Sequence, residues 1–126
     1  MDDSALEASY TCTTLRAHMT AYLALGGIAY RYNHEIRWCW DGDTILSVPE
    51  DYDFLSDVNW AFQWEGTASE SSSHYSWGGD PNGRFRSYMQ GEVRNCIPDV
   101  GCLSTFYPWI TLNVYADGHH KADGYA

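Results

Sequence analysis

Residues 35–45 read EIRWCWDGDTI: Trp38 and Trp40 flank Cys39, and Asp41-Gly42-Asp43 follows at once. Successive side chains of a strand point to opposite faces, so the two indoles share one face and the cysteine takes the other. Asp-Gly is a strong hairpin signal, because both central positions of a type I′ turn need positive φ. The stretch therefore predicts a strand, a tight turn and a returning strand, TILSV, stopped by Pro49. If Cys39 is tied into the interior, Trp38 and Trp40 are offered outward. Such a platform stacks sugars or packs against a partner protein. Trp77 and Trp109 are further candidates for that binding surface.

Working outward, the same period of two recurs. In LRAHMTAYLAL, Leu15, Ala17, Met19 and Ala21 alternate with Arg16, His18, Thr20 and Tyr22, and Gly26-Gly27 makes the turn into IAYRYNHEIRWCW. VNWAFQWE alternates most cleanly and predicts a strand with Val58, Trp60, Phe62 and Trp64 on its core face. RFRSYMQGEVRNC sets Phe85, Ser87, Met89, Gly91 and Val93 against Arg84, Arg86, Tyr88, Gln90, Glu92 and Arg94. PWITLNVYADG reads as a strand ending at Asp117-Gly118, with HHKADGYA as an edge strand or tail. PEDYDFLSD and GTASESSSHYSWGGDPNG read as loops, the first with a helical turn, the second with a short strand at 74–77. The sum is an all-β chain, an antiparallel β-sandwich or small barrel of about seven strands. It forms one domain over 1–126, with 1–10 a flexible N-terminal segment.

Seventeen acids against seven bases give a net charge of −10. That field repels phosphate backbones and anionic bilayers, which excludes nucleic acid as a partner. Membrane insertion is excluded too: the longest apolar candidate, MTAYLALGGIAY, is broken by glycines and far short of the roughly 20 residues a span needs. Nine acids and no base lie between Arg37 and Arg84, an acidic solvated face. Arg84, Arg86 and Arg94 pair with it, or present a basic stripe to an acidic partner.

Cys12, Cys39, Cys96 and Cys102 are even in number and contain no CxxC pair, which points to two disulfides in an oxidising compartment rather than to zinc. Cys96 and Cys102 bracket the turn-like IPDVG, favouring 96–102 with 12–39, while 12–96/39–102 and 12–102/39–96 stay open. The expected location is secreted or extracellular. Met1 then stands where a leader has been removed, and DDSALEA opens the mature chain.

No catalytic constellation stands out, and no cofactor or metal is assigned. Asp41 and Asp43, with Glu50, Asp51 and Asp53 behind them, hold oxygens that calcium would use, yet hairpin chemistry explains DGD and an EF-hand spacing is absent. Glu35, Glu65 and Glu92 on strands are the carboxylates a glycoside hydrolase would need, although Glu92 is explained by Arg94 two residues along. His119-His120 point to opposite faces of a strand and cannot chelate together.

RWCWDG, followed downstream by NC…GC and YPWITLNVYADG, resembles small secreted disulfide-containing proteins of actinobacteria, which share a W-C-aromatic-x-G hairpin and a Gly-Cys…Tyr-Pro-Trp run. The likeness covers residues 35–46 and 91–118. It implies secretion and two disulfides, and, since those proteins are of unassigned function, it carries no site residues. The expected function is a non-catalytic binding or assembly module, joining a protein partner or self-assembling into an extracellular complex or filament. The alternative is a polysaccharide-binding domain using a tryptophan platform, with a hydrolase behind both.

Overall fold

The structure, a computed structural model, describes residues 10–75 and 83–126. Trp77 lies outside the described residues. The described residues form eight strands: β1 Thr11–Tyr22, β2 Ile28–Trp40, β3 Ile45–Ser56, β4 Phe62–Tyr75, β5 Arg84–Ile97, β6 Gly101–Phe106, β7 Trp109–Tyr115 and β8 His120–Tyr125. They form two antiparallel sheets, β1-β2-β3 and β4-β5-β7-β8, with β6 also on β5. The fold is an open sandwich and not a closed barrel.

The core stripe of β2 runs through Tyr30, Tyr32, His34, Ile36 and Trp38, all buried, and meets Val93, Ile110, Leu112 and Val114 from the other sheet. Gly91 lies beneath two of the rings. A Cβ there would stand 2.7 Å from a Trp64 ring carbon and 2.8 Å from Tyr32, so only glycine fits without repacking. The other face of β2 is covered as well. Asn33 donates to the Phe54 carbonyl and to Ser56, and Glu35 is held by Arg16 at 2.7 Å and by the Tyr52 hydroxyl. Arg16 also lies over the Phe54 ring, 5.1 Å from its centroid.

Both disulfides pair as 12–39 and 96–102. Cys12 and Cys39 are directly opposite each other on adjacent strands, on the outer face of the first sheet. This reverses the expected orientation of the tryptophans. A bridge between neighbouring strands needs no interior, so the cysteines sit outside and Trp38 and Trp40 turn inward. Trp38 is 0% exposed, donates to the Tyr115 carbonyl at 3.1 Å and stacks on half-buried Trp40. Trp40 lies against Gly118 in the β7–β8 turn, so the pair plugs that end of the sandwich.

Four other expectations change. Trp60 is 73% exposed, because the strand begins only at Phe62 and Trp60 belongs to the preceding turn. Pro49 does not stop β3: this is an edge strand, and the register breaks between Arg37 and Cys39 make room for a residue without an N–H. The serine-rich stretch expected to be loop is paired through Tyr75, since ladder bonds to β5 are made by backbone whatever the side chains. The Asp41 turn is not type I′, as only Gly42 takes positive φ. Instead, Asp41 Oδ1 accepts from the amides of Thr44 and Asp43, which holds its carboxyl below the usual range.

The Glu35 carboxyl is lowered by the Tyr52 hydrogen bond first and by Arg16 second, against the cost of burial. A carboxylate depressed in the folded state stabilises it above the unfolded value of about 4.5 and loses that contribution as pH falls through the folded value. Unfolding free energy measured from pH 7 down to pH 3 should therefore fall more steeply for the native chain than for Glu35→Gln. Parallel curves would show the contact to be idle.

Candidate functional site

Two surfaces and one interior network hold chemistry. The network joins His34, Asp51 and Ser87, from β2, β3 and β5. His34 Nε2 is 2.7 Å from Asp51 Oδ1, its Nδ1 is 3.1 Å from the Ile110 carbonyl, and the Ser87 hydroxyl donates to Asp51 Oδ2 at 2.5 Å. The residue types are those of a hydrolytic triad, but the geometry is not. A triad places the carboxylate on Nδ1 and leaves Nε2 free to take the serine proton. Here the carboxylate sits on Nε2, the nitrogen a triad keeps for its serine, and Ser87, whose Oγ is 3.2 Å from that nitrogen, donates to Asp51 Oδ2. His34 and Ser87 are also sealed from solvent.

One step along β3, Asp53 repeats the device. It accepts from Tyr32 at 2.7 Å and Thr67 at 2.5 Å, and burial followed by this bond pushes the Tyr32 phenol up, keeping it a donor. The two carboxylates sew β3 to the opposite sheet. Asp41, Asp51 and Asp53 thus spend oxygens on protein donors, and Asp57 pairs with Arg31 at 2.5 Å. Three of the five carboxylates weighed for calcium, Asp41, Asp51 and Asp53, are used structurally.

Of the three hydrolase carboxylates, Glu65 stands exposed at the β4 bulge next to the register position of Glu92, and Glu35 does not join them. Glu35 lies on the outer face of one sheet. Glu92 lies on the outer face of the other, beside Arg94 at 3.3 Å. A core separates them, whereas glycosidic cleavage needs two carboxyls flanking one bond.

The end opposite Trp38 and Trp40 is different. β4 occupies one edge of β5 along its length, so β6 and β7 lie end to end on the other edge, interrupted at Tyr107-Pro108. β8 pairs with β7 alone and its last pair is Trp109–Tyr125. Beyond that point β6 has no outer neighbour among the described residues. At the Phe106 end of β6 there is a cleft of about 470 Å³, lined by Ala21, Tyr22, Tyr30, Phe62, Phe106 and Tyr125 among others. Its rings touch in series, Tyr30 on Phe62 at 5.8 Å and Phe62 on Phe106 at 6.2 Å. Tyr30, raised by burial, keeps its proton and donates to the Ala126 carbonyl.

Exposed apolar side chains gather at this end. Tyr22 and Tyr125 are 72% and 71% exposed, and Leu25, Val58, Trp60, Val100, Leu103, Phe106 and Tyr107 lie on the neighbouring turns and strand. Among the described residues, only Tyr10, Leu46 and Tyr52 of the large exposed apolar side chains lie elsewhere. β6 itself, GCLSTF, is exposed throughout and so has little burial to hold it; the Cys96–Cys102 bridge ties it to β5.

Of the tryptophans expected to bind that lie among the described residues, Trp109 alone is on an outer sheet face, half-buried beside Tyr88. Reading the sequence missed both the network and the groove. For the network a signal existed: His34 and Ser87 are polar residues at core parity. Comparison of the chain with family models, with curated proteins and with solved structures finds no match.

Proposed function

We propose that this protein is an extracellular binding or assembly module that accepts an extended segment of another protein chain as an added strand beside β6. One observation carries the reading: β6, uncharged and exposed throughout, pairs with β5 alone among the described residues, and its last residue, Phe106, lines an aromatic cleft. Strand addition takes its affinity from main-chain hydrogen bonds and its specificity from side-chain pockets; the β6 edge supports the first and the cleft at Phe106 the second. Six residues of edge offer a ladder of roughly 20 Å.

The other edges support the choice. Natural sheets blunt edges with charge, proline and bulges. β3 carries Pro49 and carboxylates, β4 carries two register shifts with Glu65 and Glu70, β8 carries Lys121 and Asp123, and β1 carries Arg16. β6 alone among these has no charge and no proline. The two disulfides require an oxidising compartment, consistent with a secreted protein.

Selection from displayed random decapeptides tests the reading without knowing the natural partner. Peptides with alternating apolar residues should be enriched, and the pair Leu103→Lys and Thr105→Lys should abolish their binding while leaving the fold intact. An absence of binders, or binders indifferent to the two lysines, would overturn it.

A further inference from the structure

The outer face of the larger sheet is a second surface with its own chemistry. Pairing of Thr111 with Tyr88 and Asp123, and of Asn113 with Arg86 and Lys121, sets these side chains on one face of three adjacent strands. Trp109, Thr111, Asn113, Arg84, Arg86 and Asp123 line a hollow of about 280 Å³ there, and Tyr88 lies 6.1 Å from the Trp109 ring. We infer that this hollow binds an acidic polysaccharide, one whose sugar units carry carboxylates.

Charge sets the class. The chain has seven bases in all, and the described residues of β5, β7 and β8 put Arg84, Arg86, Arg94 and Lys121 on this face against Glu92, which pairs with Arg94, and Asp123. The hollow is locally positive on a protein of net charge −10. Beyond about 8 Å at physiological salt the distant acids are screened, so the local sign governs contact. Guanidinium forks match carboxylates two bonds at a time.

Shape and hydrogen bonding decide between a saccharide and an acidic peptide. The backbone of β5, β7 and β8 here is already laddered, so an extended peptide would gain no main-chain bonds on the face. What is offered is an indole for the C–H face of a sugar ring, and a hydroxyl, an amide and a carboxylate for its hydroxyls. Asp123 accepts hydroxyl hydrogens, which a peptide carboxylate cannot supply. The site is separate from the β6 groove and stands or falls independently of it.

Calorimetric titration with oligogalacturonate tests the proposal, with neutral cello-oligosaccharide and poly-glutamate alongside. Oligogalacturonate should bind and weaken with added salt. Arg86→Gln, on an exposed side chain, should raise its Kd about tenfold or more. Asn113→Ala should weaken it too, with unchanged circular dichroism in both variants. Equal binding of the neutral oligosaccharide would overturn the acidic class. Equal binding of poly-glutamate would reduce the surface to a generic cationic patch, and no binding of oligogalacturonate would remove the site.

Discussion

Replacing Asp51 by alanine is expected to destabilise the protein by about 2–5 kcal/mol, because two buried polar groups lose a hydrogen-bond partner at once. The carboxylate serves two clients. Without it, His34 Nε2 and the Ser87 hydroxyl lose their acceptor in a region where neither reaches water. Each stranded donor adds a desolvation penalty of about 1–3 kcal/mol. Against a total stability of roughly 5–15 kcal/mol for a domain, the variant should unfold at markedly lower urea. The double variant His34→Leu with Asp51→Leu should recover much of the loss, because the imidazole is then not left without its partner. A single variant within about 1 kcal/mol of the native chain would mean that the network is an ordinary surface pair.

The second large effect concerns orientation. Trp38→Ala should cost about 3–5 kcal/mol, as for other large aromatics removed from a core, since the ring fills the closed end and its N–H satisfies the Tyr115 carbonyl. Trp60→Ala should change stability by no more than about 0.5 kcal/mol, because its ring is mostly in solvent. Urea unfolding of both variants decides the matter. Comparable losses, or a larger one at Trp60, would restore the outward platform.

These two tryptophans also show how far a sequence can be read. Parity placed Trp38 opposite Cys39 correctly, but parity has no absolute sign. Which face is inside depended on whether Cys39 reached across the sandwich or to a neighbouring strand, and that is a relation between elements. Trp60 shares parity with Phe62 and Trp64, yet alternation has meaning only once a strand has begun, and Asn59 turns the chain just before it. The serine-rich half of β4 has almost no apolar side chain to announce it. Its pairing is supplied by β5. Pro49 was a fair stop signal for an interior strand and a weak one for an edge. The regular alternations at 15–22, 28–40, 84–96 and 108–115 were legible because each strand packs one face on a core, whereas the continuation to Leu23 and Leu25 falls in the turn, where Leu25 is fully exposed.

The groove could not be read locally at all. It lies where β6 follows β7 along one edge of β5 and, among the described residues, pairs with β5 alone, an arrangement of strands that no motif encodes. Its aromatic lining comes from Tyr22, Tyr30, Phe62, Phe106 and Tyr125, dispersed along the chain and brought together by the sheet order. The basic hollow on the opposite face of that sheet was partly visible, since Arg84 and Arg86 share a stripe, but its tryptophan comes from a different strand.

Strand addition at β6 is tested most directly by amide hydrogen exchange, read residue by residue in the free protein and with a selected peptide bound. In the free protein, the amides of Gly101–Phe106 that point away from β5 should exchange quickly. On binding, those same amides should become protected, with β8 and β1 unchanged. Protection that appears along β1, or nowhere in β6, would contradict strand addition.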